Sequence, residues 1–265
     1  MPDTASERQF VKVNVEDRVA VITIDHPPVN AFDGPTMLDL HSAVGAAIED
    51  PEVKAIVITG AGQMAFVAGA DIGAVAKLEN AGQALQASLD GQTVFNRIEC
   101  SPKPVIAAIN GVCLGGGMEL ALACHMRIAG DRVRMGQPEI NLGIIPAWGG
   151  TQRLPRLVGQ SKAIELILTG DALSAQEAYR LNLVNKVVPG GEVLKTAKDL
   201  AKKIASKGGP SVSAALEAIR KSAELPLDDG LQFEAERFGA LAETEDMKEG
   251  VGAFLQKRQP VFKDR

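Results

Sequence analysis

The run PVIAAINGVCLGGGMELALAC, residues 104–124, constrains the fold more than any other part of the chain. It opens as a short apolar segment of the kind that forms a buried strand and passes through a glycine turn. It then continues as a helix whose first turn is built from Gly115, Gly116 and Gly117. AIVITG (55–60) has the same grammar, a β-branched strand ending at glycine. A chain that alternates buried strands with helices folds as an α/β layer structure.

The flanking segments agree. FVKVNV (10–15), the turn residues EDR and VAVITI (19–24) read as a hairpin, and HPPVNAFDG then breaks regular structure. Pro35 begins a helical segment with Leu40, Val44 and Ile48 on one face, ending at Pro51. MRIAG (126–130) and NLVNKVV (182–188) are further strand candidates. SAQE (174–177) is a capping box that starts a helix carrying Ala178 and Leu181. From residue 192 the pattern becomes helical in four stretches punctuated by glycine or proline. The expected division is an α/β core over 1–191 and a helical region over 192–265, with no internal repeat or long linker.

Composition excludes several classes. Lys plus Arg number 28 against 33 Asp plus Glu, a net charge of −5, and no basic block occurs, so nucleic acid is not an expected partner. No apolar run approaches the roughly 18 residues of a membrane span. The polar start MPDTASERQF lacks a secretory core, and three cysteines without CxxC spacing fit reduced thiols. The expected location is the cytoplasm.

Glu119 is the anomaly. It lies two residues past the three glycines, and its helical neighbours Gly115, Gly116, Leu120, Leu122 and Ala123 leave no water-facing side. Burying an ionised carboxylate costs several kcal/mol unless it is paired or neutralised. The dinucleotide fingerprint fails because Cys113 stands where a second glycine is needed, and the P-loop and nucleophile-elbow patterns fail too. Two readings of the glycines stay open: close packing of helix on sheet, or backbone N–H groups exposed to negative charge. A second glycine loop, MAFVAGADIGAV (64–75), offers further N–H groups at a turn. A third stretch, GQPEINLGIIPAWGGTQRL (136–154), holds another isolated carboxylate, Glu139.

These stretches together resemble the enoyl-CoA hydratase/isomerase, or crotonase, superfamily. The resemblance covers nearly the whole chain: AVITIDHPPVNAF, FVAGADI, NGVCLGGGMELALAC, GQPEINLGIIPAWGGTQRLPRLVG, ALSAQEAYRLNLVNKVV and GAFLQKRQPVFKD, in family order. It implies an α/β fold, a crotonase-type spiral of ββα units, with a C-terminal helical region that forms homotrimers, usually paired into hexamers. It implies an acyl-CoA thioester substrate and an oxyanion hole from the N–H groups of Ala70 and Gly116. By the same motif positions Ala68, Ala70, Asp71, Ile72, Gly73 and Gly116 contact the thioester or CoA. Phe254 and Lys257 close over CoA from a neighbouring subunit. Hydratases of the family resemble this chain in carrying both glutamates, so Glu119 is expected to activate water and Glu139 to protonate the α-carbon of a trans-2-enoyl-CoA. Neither metal nor separate cofactor is implied, since coenzyme A is part of the substrate.

The chain departs from the pattern at three places. His125 replaces a common aspartate and reads as a partnered structural histidine. Gly73 stands where a longer, often charged residue is usual. Trp148 either narrows the acyl site or fills core. The alternatives are a Δ3,Δ2-enoyl-CoA isomerase, which could use Glu139 alone, and a non-catalytic CoA-thioester binder.

Overall fold

The computed structural model describes residues 8–265; the polar N-terminal residues 1–7 lie outside the described residues. The chain is a succession of strand pairs, most of them followed by helices. The hairpin β1 (Val11–Glu16) and β2 (Val19–Ile24) leads into α1 (Gly34–Glu49). Next come β3 (Ala55–Gly60) and β4 (Ala65–Val67), then the short α2 (Ile72–Val75) and the long α3 (Ala81–Glu99). The pair β5 (Val105–Ile109) and β6 (Val112–Leu114) leads into α4 (Gly116–Ala123). After β7 (Met126–Gly130) and β8 (Arg134–Gly136), a 3-10 turn over Pro138–Leu142 precedes α5 (Gly150–Val158) and α6 (Gln160–Thr169). The core closes with β9 (Leu173–Ser174), α7 (Ala175–Arg180) and β10 (Lys186–Val188). Four helices end the chain: α8 (Val193–Ala205), α9 (Gly209–Lys221), α10 (Leu227–Leu241) and α11 (Glu245–Leu255).

Two sheets result. The larger runs β1-β2-β3-β5-β7-β10, parallel except for the β1–β2 hairpin. The smaller runs β4-β6-β8-β9, parallel except for β8–β9. From β3 to β8, each pair sends its first strand to the large sheet and its second to the small one, which is what makes the fold a spiral of ββα units. Parity explains the buried-type strands. Ile56 and Ile58, with Ala107 and Ile109, face the main core, while Ala55, Val57, Ile106 and Ala108 face the other side. That second face is covered by α8 through Val193, Ala197 and Ala201, spaced four apart on one stripe. A strand covered on both faces has no polar position to alternate.

Most expected elements lie within a residue or two of their observed bounds, and Ser174 and Glu177 form the expected capping box. Three differ. The run 104–124 is not strand, turn and helix directly, because Val112–Leu114 forms β6 of the small sheet first. Of 182–188 only Lys186–Val188 is strand: Asn182 adopts φ +58 just past α7, and Leu183 and Val184 are core residues. The 19-residue α3 went unseen, because its first half is polar or exposed and only Gly91, Val94, Phe95 and Ile98 are buried.

Candidate active site

The small sheet assembles the site. Parallel strands bring their C-terminal ends to one edge, the usual place for a ligand in such sheets. Val67 of β4 pairs with Cys113 of β6, so Ala70 and Gly116 each lie three residues past paired neighbours. Leu114 of β6 pairs with Gly136 of β8, and Glu139 follows three residues on, in the 3-10 turn. Ala70, Gly116, Glu119 and Glu139, scattered over 70 positions of sequence, thus leave the same edge.

The glycines now have separate reasons. Gly115, the residue capping α4, takes φ +52, and a side chain there would lie 3.1 Å from Glu139 Oε1 and 3.6 Å from Gly69 Cα. A Cβ on Gly116 would lie 2.6 Å from Trp148 Cζ3, and one on Gly117 would collide with the Val67 carbonyl. Of the two readings left open by the sequence, close packing is seen at Gly117, while Gly116 stands at a helix start with its N–H unengaged. Among the described residues, neither the Ala70 nor the Gly116 N–H donates to another group of the chain.

All eight residues of α4 are buried, Glu119 included at 2% exposure. Its carboxylate is held at a second helix start, where Oε1 accepts the N–H groups of Trp148 and Gly150, both at 2.8 Å. Both of these hydrogen bonds go to Oε1, and the neighbouring Gly149 N–H also favours the ionised carboxylate. Burial pushes the Glu119 pKa upward, opposed by those peptide donors and by the Arg153 charge. Glu139 is less enclosed, and burial together with the negative charge of Glu119 pushes its pKa up to about 7. The buried Gln137, with its amide oriented as its neighbours require, donates to Glu139 Oε1 at 2.9 Å and Oε2 at 3.2 Å. Two carboxyl groups in unlike settings are the arrangement that acid–base chemistry can use.

A largely apolar cavity of about 610 Å³ opens beside this edge, bounded by α1, α2 and α3 and touching Ala70, Asp71 and Trp148. Trp148 fills core and also borders the cavity. Its ring meets Phe32 and Phe95 edge-on, at 6.0 and 5.8 Å between centroids, while its other surface lines the cavity. Asp71 caps α2 by accepting the Gly73 N–H at 2.8 Å; Ala68 and half-exposed Ile72 flank that turn. His125 accepts the Val105 N–H at 2.9 Å through Nδ1, and burial lowers its pKa, as fits a structural histidine. Phe254, 82% exposed, and Lys257 stand on and just after α11 and line no part of the cavity within one chain. Sequence reasoning missed Gln137, Gly150 and Arg153; the only signal was their place inside QPE and WGGTQR. Among the described residues no three His, Cys, Asp or Glu side chains gather to hold a metal ion, and no helix is long and apolar enough to cross a membrane.

The family model described as enoyl-CoA hydratase/isomerase matches residues 14–265. The short-chain-enoyl-CoA hydratase of Clostridium acetobutylicum is 44% identical over 261 residues, covering 98% of this chain and all of that protein. The crotonyl-CoA hydratase of Syntrophomonas wolfei is 46% identical over 248 residues, covering 93% of this chain and 95% of its own. The crystal structure of an enoyl-CoA hydratase from Bacillus anthracis superposes with a TM-score of 0.93 at 40% identity, covering 97% of this chain and all of the other.

Proposed function

The chain belongs to the enoyl-CoA hydratase/isomerase family, and from that premise we propose that it hydrates trans-2-enoyl-CoA reversibly to 3-hydroxyacyl-CoA. The observation that carries the reading is a pair of carboxyl groups with raised pKa values beside two unengaged backbone N–H groups. The thioester oxygen accepts from the Ala70 and Gly116 N–H groups, which stabilise the enolate that forms as water adds. Such donors are worth about 3–4 kcal/mol each in a dry site. Water lies between the carboxyl groups. Glu119 takes one of its protons through Oε2, hydroxide adds to C3, and Glu139 delivers a proton to C2. The pair gains one proton and gives one, so its charge is unchanged over the cycle.

Coenzyme A arrives as part of the substrate, and no other cofactor is called upon. Its contacts are assigned to Ala68, Ala70, Asp71, Ile72, Gly73 and Gly116, and to Phe254 and Lys257 from a neighbouring subunit. Residues 1–191 carry the site and 192–265 assemble a homotrimer or a hexamer of two trimers. Exposed Leu227, Leu231, Phe238 and Val251 on the last two helices favour such contacts. A cytoplasmic enzyme that binds neither nucleic acid nor membrane completes the proposal, and the net charge of −5 supports the absence of a nucleic-acid partner. The test is crotonyl-CoA: hydration removes the absorbance of the conjugated thioester. An isomerase that uses Glu139 alone would leave that absorbance in place, and so would a passive binder.

A further inference from the structure

We propose that Arg153 is a positioning residue for Glu119, clamping the turn whose peptide N–H groups hold that carboxylate. The proposal rests on the hydratase reading for its kinetic consequences but not for its geometry. The guanidinium is buried, its side chain 9% exposed, and makes four hydrogen bonds. Nε and Nη2 donate to Glu99 Oε2 at 3.0 and 2.8 Å, and Nη2 also to Asn96 Oδ1 at 2.6 Å, which ties the group to α3. Nη1 donates to the Trp148 carbonyl at 3.0 Å.

The turn 148–150 is therefore gripped from two sides. Trp148 offers its N–H to Glu119 and its C=O to Arg153, and Gly150 adds a second N–H to the same carboxylate oxygen. Gly149 makes the grip possible. Its φ of +117 is open to glycine, and a Cβ there would collide with Arg153 Nη1. If Arg153 merely joined α3 to α5, nothing would require it to reach the carbonyl of Trp148, one of the two residues whose N–H groups hold Glu119.

Charge acts in the same sense. The charged groups facing Glu119 are Glu139, from the turn after β8, and Arg153 from α5. Arg153 favours the ionised form of Glu119, the form a water-activating base needs, and Glu139 opposes it. The same residue thus aims the carboxylate and favours its charge.

Arg153→Gln and Arg153→Lys separate these effects. The measurements are kcat and KM for crotonyl-CoA against pH, with infrared titration of the Glu119 carboxyl, its band assigned by Glu119→Gln. For Arg153→Gln the expected fall in kcat is about tenfold or more, the effect of one charge-assisted hydrogen bond, with KM nearly unchanged. Its acid limb and the Glu119 band both move to higher pH, because a cation that favoured the carboxylate is gone. Arg153→Lys keeps the charge but not the fork, so its acid limb stays near wild type while kcat falls by a smaller factor. A folded Arg153→Gln with the wild-type limb and band overturns the proposal. Should that variant fail to fold, Arg153→Lys with full wild-type kcat overturns it as well. Wild-type protein that leaves crotonyl-CoA unhydrated defeats the hydratase reading instead, and the infrared titration still decides whether Arg153 governs Glu119.

Discussion

Glu119→Gln tests the site most sharply, because activity and stability should move in opposite directions. Glutamine keeps the shape of the side chain, and its amide oxygen can accept the Trp148 and Gly150 N–H groups that now meet Oε1 at 2.8 Å. The turn should therefore stay in place. What is lost is Oε2, replaced by an NH₂ group with no lone pair for a proton. Loss of general-base help costs on the order of 10²–10⁴ in rate, about 3–5 kcal/mol in the barrier at 1.36 kcal/mol per factor of ten. Thioester affinity should be spared, since the role proposed for the carboxylate lies in the chemical step. Stability follows from the pKa. Glu119 is held above the ordinary value of 4.5, so the ionised form is disfavoured in the folded state. That penalty is absent below the unfolded pKa and grows as pH rises through the folded one. The neutral amide escapes it, so the variant should melt no lower than wild type near neutral pH and at higher temperature where Glu119 is ionised. The gap should close on acidification below about 4.5. Crotonyl-CoA hydration and calorimetry across pH provide the two readouts. Hydration within about tenfold of wild type would refute the role of Glu119 as base.

Three further outcomes are expected. With Glu139 as the proposed proton donor and its pKa pushed up to about 7, kcat should fall as pH rises through that region, and Glu119→Gln should lower the Glu139 titration by removing a neighbouring negative charge; carboxyl titration by infrared spectroscopy reads this directly, and an unmoved Glu139 would show the two groups to be uncoupled. Gly116→Pro would strip the proposed oxyanion donor, but its side chain would also press on Trp148, so glycolic acid at position 116, an ester in place of the amide, is the cleaner change; kcat should fall about 10²–10³-fold, measured on crotonyl-CoA, and an unchanged kcat excludes Gly116 as a donor. Exposed Lys257, if it meets a CoA phosphate of the neighbouring subunit, should raise KM but not kcat when changed to alanine, with the effect shrinking at high salt, and truncation before residue 244 should give smaller assemblies by light scattering; a truncated hexamer with unaltered KM removes both roles from the tail.

Local chemistry alone determined the layer class and most of the elements. Largely apolar, β-branched strands such as 55–60 demand cover on both faces, Pro35 and Pro51 bracket α1, and SAQE caps α7 through its own side chains. Each of these depends on neighbours a few residues away, so each is legible in a window of sequence. Glu119 was legible for the opposite reason: a charge on a helix with no polar face is a local contradiction that only a partner elsewhere can resolve. The partner itself was not legible. Trp148 and Gly150 lie 29 and 31 residues further on, and their N–H groups carry no side-chain signature. Nor does a sequence say that β4, β6 and β8 lie side by side, the register that brings Ala70, Gly116 and Glu139 to one edge. The residue types were written in the chain, but pKa values, free N–H groups and the grip of Arg153 come from burial and long-range pairing. Those exist only once the spiral has closed.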